Sequence, residues 1–269
     1  MSEIEKITSR DNQRLVNARK VRDGNVKNLI FIEGRRLVNE VLLSEMTIDE
    51  CFVVDDFGDR ELLKAVAART EKIAEISERV FRSVADTDNP QGIILIAERP
   101  NYTVGDIEEC LKSEKSALPI VLFLKEISNP SNLGAILRTA EAAGVSGIVI
   151  SENSADVYSA KSLRAAMGAS FRLKIWENAA FDEVLLLAKN ANLIATAADT
   201  RASDDYIQID WKTPRLLIFG SEAHGLSSSE LENIDQKIRI PMENEVESLN
   251  LAVSAGIILF EAKRQNTAQ

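Results

Sequence analysis

IVLFLKEISNPSNLGAILRTAEAAG, residues 120–144, reads in one pass as a strand, a loop and a helix. Ile120–Leu124 is an unbroken apolar run of strand length, which suits a parallel strand covered on both faces. Leu133, Ile136, Leu137 and Ala140 keep helical spacing, and Gly144 stands where a C-cap glycine belongs. The polar loop between them leaves the carboxyl end of the strand, the place where α/β sheets bind ligands.

Toward the C-terminus the pattern repeats. Gly147–Ile150, Arg172–Ile175, Leu193–Ala197, Arg215–Phe219 and Lys237–Ile240 read as strands, and Tyr158–Met167 as a helix. A last helix from about Ser248 to Lys263 carries Leu249, Val253, Ile257 and Phe260 on one stripe, beside the small residues Ala252, Ser254, Ala255 and Gly256. Such alternation predicts a largely parallel sheet over residues 119–269. Toward the N-terminus a smaller α/β unit is expected over residues 1–99. Its strands are Leu29–Glu33, Cys51–Asp56, Lys72–Ile76 and Gln91–Ala97, and its helices Arg35–Leu43, Glu61–Thr70 and Glu78–Val84. Residues 100–118, bracketed by prolines and less apolar, read as a connector carrying one helix.

Composition narrows the function classes. A chain of 269 residues with 45% hydrophobic content can build two cores. No run of eighteen apolar residues offers a membrane span, and the polar start MSEIEKITSRDNQR does not read as a secretory signal. Cys51 and Cys110 stand far apart without His or Cys companions, which argues against a disulfide framework or a metal site and for a cytoplasmic location. Net charge is −10, yet residues 6–36 hold nine basic and three acidic residues, so that segment is +6 and the remainder −16. Arg10, Arg14, Arg19, Lys20, Arg35 and Arg36 could therefore meet RNA phosphates. A solvated helix face is the competing reading, and the run alone does not choose between them.

Three loops carry candidate chemistry. In Asn129-Pro-Ser-Asn-Leu-Gly-Ala-Ile-Leu-Arg138, Asn132 stands at a helix start with free backbone N–H groups, and Arg138 follows six residues later. In Phe219-Gly-Ser-Glu-Ala-His-Gly-Leu226, Gly220 and Gly225 permit a tight turn from which Glu222 projects. In Ile240-Pro-Met-Glu-Asn-Glu-Val-Glu-Ser-Leu-Asn250, Ser248 and Asn250 flank Leu249 at a helix start. Taken singly, each loop is also explained by helix capping or a surface turn. His224 is the sole histidine and reads as an ordinary loop residue rather than a base.

Together, NPSNLGAILRTAEAAGV, LLIFGSEAHGLS and IRIPMENEVESLNLAVSAGIILFEAKRQ resemble the three motifs of the SpoU (TrmH) family of RNA 2′-O-ribose methyltransferases, of the SPOUT superfamily. ITSRDNQRLVNARKVRDGNVKNLIFIEGRRLVNEVL and DTDNPQGIILIAE are similar to the substrate-binding domain of the ribosomal protein L30e type found in many members. Departures from the usual motifs are Asn129 for an acidic residue, Leu-Lys-Glu-Ile for Leu-Asp-x-Val, and Ala223 for a glycine.

The resemblance implies an α/β chain in which an L30e-like domain precedes a methyltransferase domain with a trefoil knot. It implies S-adenosylmethionine held near Gly220, Ile240 and Leu249, with Thr196 adjacent, and no metal. Asn132, Arg138, Glu222, Ser248 and Asn250 match the family's polar catalytic positions. It also implies a homodimer paired through the knotted domains. The expected reaction is methylation of a ribose 2′-hydroxyl, most readily in 23S ribosomal RNA. A transfer RNA substrate, or an inactive RNA-binding or ribosome-assembly relative, is the alternative. A nicotinamide-binding Rossmann enzyme is disfavoured by the missing G-x-G-x-x-G after the first strand.

Overall fold

The structure is a computed structural model and describes residues 4–112, 118–244 and 246–267. It divides into two compact units, Met1–Pro100 with Tyr158–Arg172, and Asn101–Val157 with Leu173–Gln269.

The first unit is a five-stranded mixed sheet with the order β1-β4-β3-β5-β2. Its strands are β1 (Glu5–Ile7), β2 (Leu29–Glu33), β3 (Ile48–Val54), β4 (Ile73–Ile76) and β5 (Ile93–Glu98). β5 runs antiparallel between β2 and β3, while β1 and β3 run parallel to β4. The basic segment folds as a helix, α1 (Gln13–Arg22), which buries Leu15, Ala18 and Val21 on one side. α2 (Arg35–Leu42), α3 (Arg60–Ala67) and α4 (Glu78–Val84) are the other helices of the unit's N-terminal stretch.

Tyr158–Arg172 was expected to belong to the domain over 119–269, but it packs with the first unit. Its helix α7 (Ala160–Ala166) buries Leu163 and Ala166, and two ion pairs fasten the segment. Arg164 Nη1 lies 2.8 Å from Asp86 and Arg172 Nη1 lies 2.5 Å from Glu40. Burial of Leu163, Ala166 and Phe171 against partners distant in sequence holds the segment there, and periodicity does not record those partners.

The second unit is a seven-stranded sheet, parallel throughout, with the order β10-β12-β9-β11-β6-β7-β8. Its strands are β6 (Leu118–Leu124), β7 (Val145–Ser151), β8 (Ile175–Ala179), β9 (Ile194–Ala198), β10 (Asp204–Asp205), β11 (Arg215–Phe219) and β12 (Gln236–Arg239). Every residue of β11 is buried, as is every residue of β6 but Pro119, which is why both read as unbroken apolar runs. α6 (Pro130–Ala143) ends at Gly144 in the left-handed region, φ +89°, as the sequence suggests.

Several elements depart from the reading of the sequence. The strand expected at Arg172–Ile175 lies at Ile175–Ala179 instead. α8 (Phe181–Asn190) was not anticipated, although Val184, Leu187 and Ala188 bury one face and Glu183 accepts the Ala180 N–H at 3.1 Å. The connector's helix, α5 (Val104–Lys112), does more than link, because fully buried Ile107 joins the core of the second unit. A short α9 (Ser228–Leu231) follows β11, and α10 (Leu251–Thr267) starts three residues later than expected. Among the described residues no helix is long and apolar enough to cross a membrane.

Arg215, at the start of β11, is 4% exposed. Its guanidinium donates to Thr196 Oγ1 (2.9 Å), Gln236 Oε1 (2.8 Å) and, twice, the Asp210 carbonyl, and lies over the Trp211 ring. Arg215→Met would leave the fully buried Thr196 hydroxyl oxygen without its donor and break the contacts to Gln236 and Asp210, so it should cost about 1–3 kcal/mol, read as a lower thermal midpoint. An unchanged midpoint would contradict the structural role.

Candidate active site

In the second unit β12, β9, β11 and β6 are neighbours and all parallel, so their carboxyl ends lie along one edge. The chain also changes direction across the sheet here, from β6–β7–β8 on one side to β9, β11 and β12 on the other, which is where α/β sheets open a crevice. The loops after β9, β11 and β12, together with Asn132 near the start of α6, line a cavity of about 590 Å³. That volume lies within the roughly 300–1,000 Å³ of small-molecule sites.

The loop after β11 is a tight turn. The Ser221 N–H donates to the Gly225 carbonyl at 3.2 Å and the Gly225 N–H donates back at 2.9 Å. Gly220 cannot be replaced without moving backbone, because a Cβ there would lie 2.3 Å from the Gly225 carbonyl carbon and 2.6 Å from its oxygen. The turn therefore presents backbone and glycine to the cavity, with Leu226, Ile240, Leu249 and Ile258 supplying apolar wall.

Polar contacts tie the three motif loops together. Glu222 Oε2 accepts Ser128 Oγ–H at 2.8 Å and the Asn129 N–H at 3.2 Å, while Oε1 accepts from Asn132 Nδ2. Asn250 Nδ2 donates to Asn132 Oδ1 at 3.1 Å, and Asn250 Oδ1 caps α10 by accepting the Ala252 N–H at 3.0 Å. Partial burial works against the Glu222 carboxylate, yet the bonds from Asn132, Ser128 and Asn129 outweigh it and hold its pKa below the ordinary 4.5. A carboxylate held that way is a poor base and a good anchor.

With a folded-state pKa below its unfolded value, Glu222 contributes stability above the ordinary carboxylate range and loses it as pH falls through the folded-state pKa. Glu222→Gln should therefore melt lower than wild type at neutral pH, with the gap closing as pH is lowered past 4.5. Melting curves that stay parallel across that range would contradict the network.

Of the residues expected from sequence, Asn132, Gly220, Glu222, Ile240, Ser248, Leu249 and Asn250 all line the cavity, and so does His224. Thr196 does not. It is fully buried in mid-strand, donating to the Ile194 carbonyl and accepting from Arg215, and the chain reaches the cavity only at Ala198. Arg138 is exposed on α6 and also lies outside the cavity. Six residues make about one and two-thirds helical turns, so it faces away from Asn132.

Sequence reading missed Asp199, Arg201 and Arg239 at the cavity lip. Asp199 accepts the Arg201 N–H at 2.9 Å and faces its guanidinium at 3.2 Å, while Arg239 pairs with Asp205. The signal available was two charged residues directly after an apolar strand, in the loop position where such sheets bind ligands.

In the first unit the basic residues divide. Arg14 is committed to structure, with ion pairs to Glu5 and buried Glu50 and its guanidinium 5.7 Å from the Phe52 ring centre. That takes it out of the set expected to meet phosphates. Arg19 donates to the Arg10 carbonyl at 2.7 Å, and Arg35 lies 5.0 Å from the Phe57 ring centre. Arg10, Lys20, Arg35 and Arg36 are exposed.

Comparison with known proteins matches this geometry to a family. A profile described as the SpoU rRNA Methylase family matches residues 119–260, more than half the chain. The chain belongs to that family. A second profile, the MRM3-like substrate binding domain, matches residues 10–95. Among relatives of this SpoU chain is the Bacillus subtilis protein named 23S rRNA (guanosine(2553)-2′-O)-methyltransferase RlmP, 29% identical over 97% of this chain and all of that one. A 23S rRNA (guanosine-2′-O-)-methyltransferase RlmB from Ralstonia nicotianae is 30% identical over 82% of this chain and 89% of its own length. The crystal structure of an AdoMet-bound rRNA methyltransferase from Sinorhizobium meliloti superposes with a TM-score of 0.83 at 28% identity, covering 97% of this chain and 98% of that one.

Proposed function

We propose that this chain transfers a methyl group from S-adenosylmethionine to a ribose 2′-hydroxyl of 23S ribosomal RNA. One observation carries the reading. The Glu222–Asn132–Asn250 network joins the three motif loops at the wall of one cavity of cofactor size.

The residues present fit the donor. An adenosine needs an apolar slot with backbone donors and acceptors, which the Gly220–Gly225 turn and Leu226, Ile240 and Leu249 offer. When bound, S-adenosylmethionine supplies an electrophilic methyl group on a sulfonium. Glu222 fixes Asn132, and Asn132 fixes Asn250, so the amides stand ready to orient the ribose hydroxyl. Arg138, exposed outside the cavity, grips a neighbouring phosphate on the RNA side and favours the developing alkoxide, while the proton leaves to phosphate or water. Exposed cations of the first unit, Arg10, Lys20, Arg35 and Arg36, add phosphate contacts.

Two copies act together in this reading. On α10 the core face is Ala255, Ile258, Leu259 and Ala262, whereas Val253 and Phe260 on the opposite side are 51% and 49% exposed. Exposed apolar side chains on one helix face fit a partner surface, here a second copy paired through the same domain. Two free cysteines accord with work in a reducing cytosol.

The test is transfer of labelled methyl from S-adenosylmethionine to unmodified ribosomal RNA and, separately, to bulk transfer RNA. Label in ribosomal RNA at alkali-resistant linkages is expected. Label confined to transfer RNA would keep the reaction and replace the substrate, and label at alkali-labile linkages would reject 2′-O chemistry.

A further inference from the structure

The turn at Gly220–Gly225 is braced from both ends by the loop after β6, and only one brace belongs to the motif network. At the near end Ser128 and Asn129 bind Glu222. Lys125, the first residue after β6, reaches past that end. Its N–H donates to the Phe219 carbonyl at the entry of the turn at 2.9 Å, while its side chain, 15% exposed, runs to α9 beyond the exit. Lys125 Nζ lies 3.2 Å from Glu230 Oε1 and 3.1 Å from Glu126 Oε1.

Glu230 is fully engaged. Its other oxygen accepts both the N–H and the Oγ–H of Ser227 at 2.8 Å, and Ser227 Oγ accepts the Glu230 N–H at 3.3 Å. That reciprocal capping box starts α9 directly after Leu226, and Leu226 and Leu231 on either side of it line the cavity. The side chains facing the ammonium are Glu126 from its own loop and Glu230 from α9. Burial works against the charge on Lys125, but these two carboxylates more than offset it and keep the group protonated.

We propose that Lys125 is a positioning residue for the methyl-donor site, acting through Glu230 to fix the α9 end of the turn. This rests on the reading of the cavity as the donor site. A methionine of similar length keeps the hydrophobic stem but removes the cation from Glu230 Oε1, so the capping box stays while its tie to the loop after β6, and with it the placing of the exit of the turn, is lost. Arginine restores a cation within reach of Glu230.

The experiment is calorimetric titration of the full chain with S-adenosylmethionine, for wild type, Lys125→Met, Lys125→Arg, Glu230→Gln and the Lys125→Met/Glu230→Gln double variant. Lys125→Met should weaken donor binding about tenfold, as expected for a half-buried charge-assisted contact, and Lys125→Arg should recover most of it. The double variant should bind no worse than the weaker single variant, because both remove one contact. In turnover the donor KM should rise, with kcat at saturating donor and the KM for RNA held within about twofold. Unchanged donor binding by Lys125→Met, additive losses in the double variant, or a fall in kcat at constant KM would each overturn the proposal. Lys125→Met that melts lower but binds donor normally would reduce Lys125 to a structural role and overturn it equally. A wild-type chain that failed to bind donor would overturn the reading of the cavity, and this inference with it.

Discussion

Gly220→Ala should abolish useful donor binding while leaving the chain folded. The methyl group would sit 2.3 Å from the Gly225 carbonyl carbon and 2.7 Å from the Leu226 nitrogen, and neither is the end of a flexible side chain. The turn must open to accept it, and opening breaks the paired Ser221–Gly225 bonds that shape one wall of the cavity. A loss of at least about a hundredfold in affinity, near 2.7 kcal/mol, is expected. Calorimetry with S-adenosylmethionine reads it, and circular dichroism checks that the fold survives, because β11 and its neighbours lie upstream of the strain. Affinity within a few-fold of wild type would mean that the turn does not form the donor site.

Arg138→Ala should do the reverse, sparing donor affinity and removing turnover. Arg138 lies outside the cavity, so its loss leaves the donor's walls intact. Its proposed work is at the RNA, where charge develops only as the hydroxyl is deprotonated. Removing such a stabilising group costs about 10²–10³ in kcat. Methyl transfer measured at saturating donor, beside calorimetry of the same variant, separates the two effects. Near-normal turnover would exclude Arg138 from the chemistry, and a parallel loss of donor affinity would place it in the wrong role.

The sequence disclosed most where burial is complete. IVLFL and RLLIF declare themselves because both faces of a central parallel strand are covered, and the motif loops at their carboxyl ends could be located from those strands alone. It disclosed least where two surfaces compete for one pattern. α10 is apolar on two sides, and the run of residues does not say that the small-residue face with Ala255 and Ala262 is the buried one. The basic count over residues 6–36 could not reveal that Arg14 is spent on Glu5 and Glu50, because those partners come from β1 and β3. Thr196 stands two residues short of the cavity, since β9 extends to Ala198 before the chain turns into it. Lys125 was legible only as a departure from the usual motif, and its partner on α9 appears only once the strands are in register.

The central claim is that one cavity, built by the loops after β9, β11 and β12, holds the methyl donor. Ultraviolet cross-linking of methyl-labelled S-adenosylmethionine to the full chain, followed by peptide mapping, tests it most directly. Saturable label in peptides containing residues 219–226, 238–242 or 247–251 is the result predicted. Saturable label confined to residues 4–100, or none that unlabelled donor can displace, would contradict it.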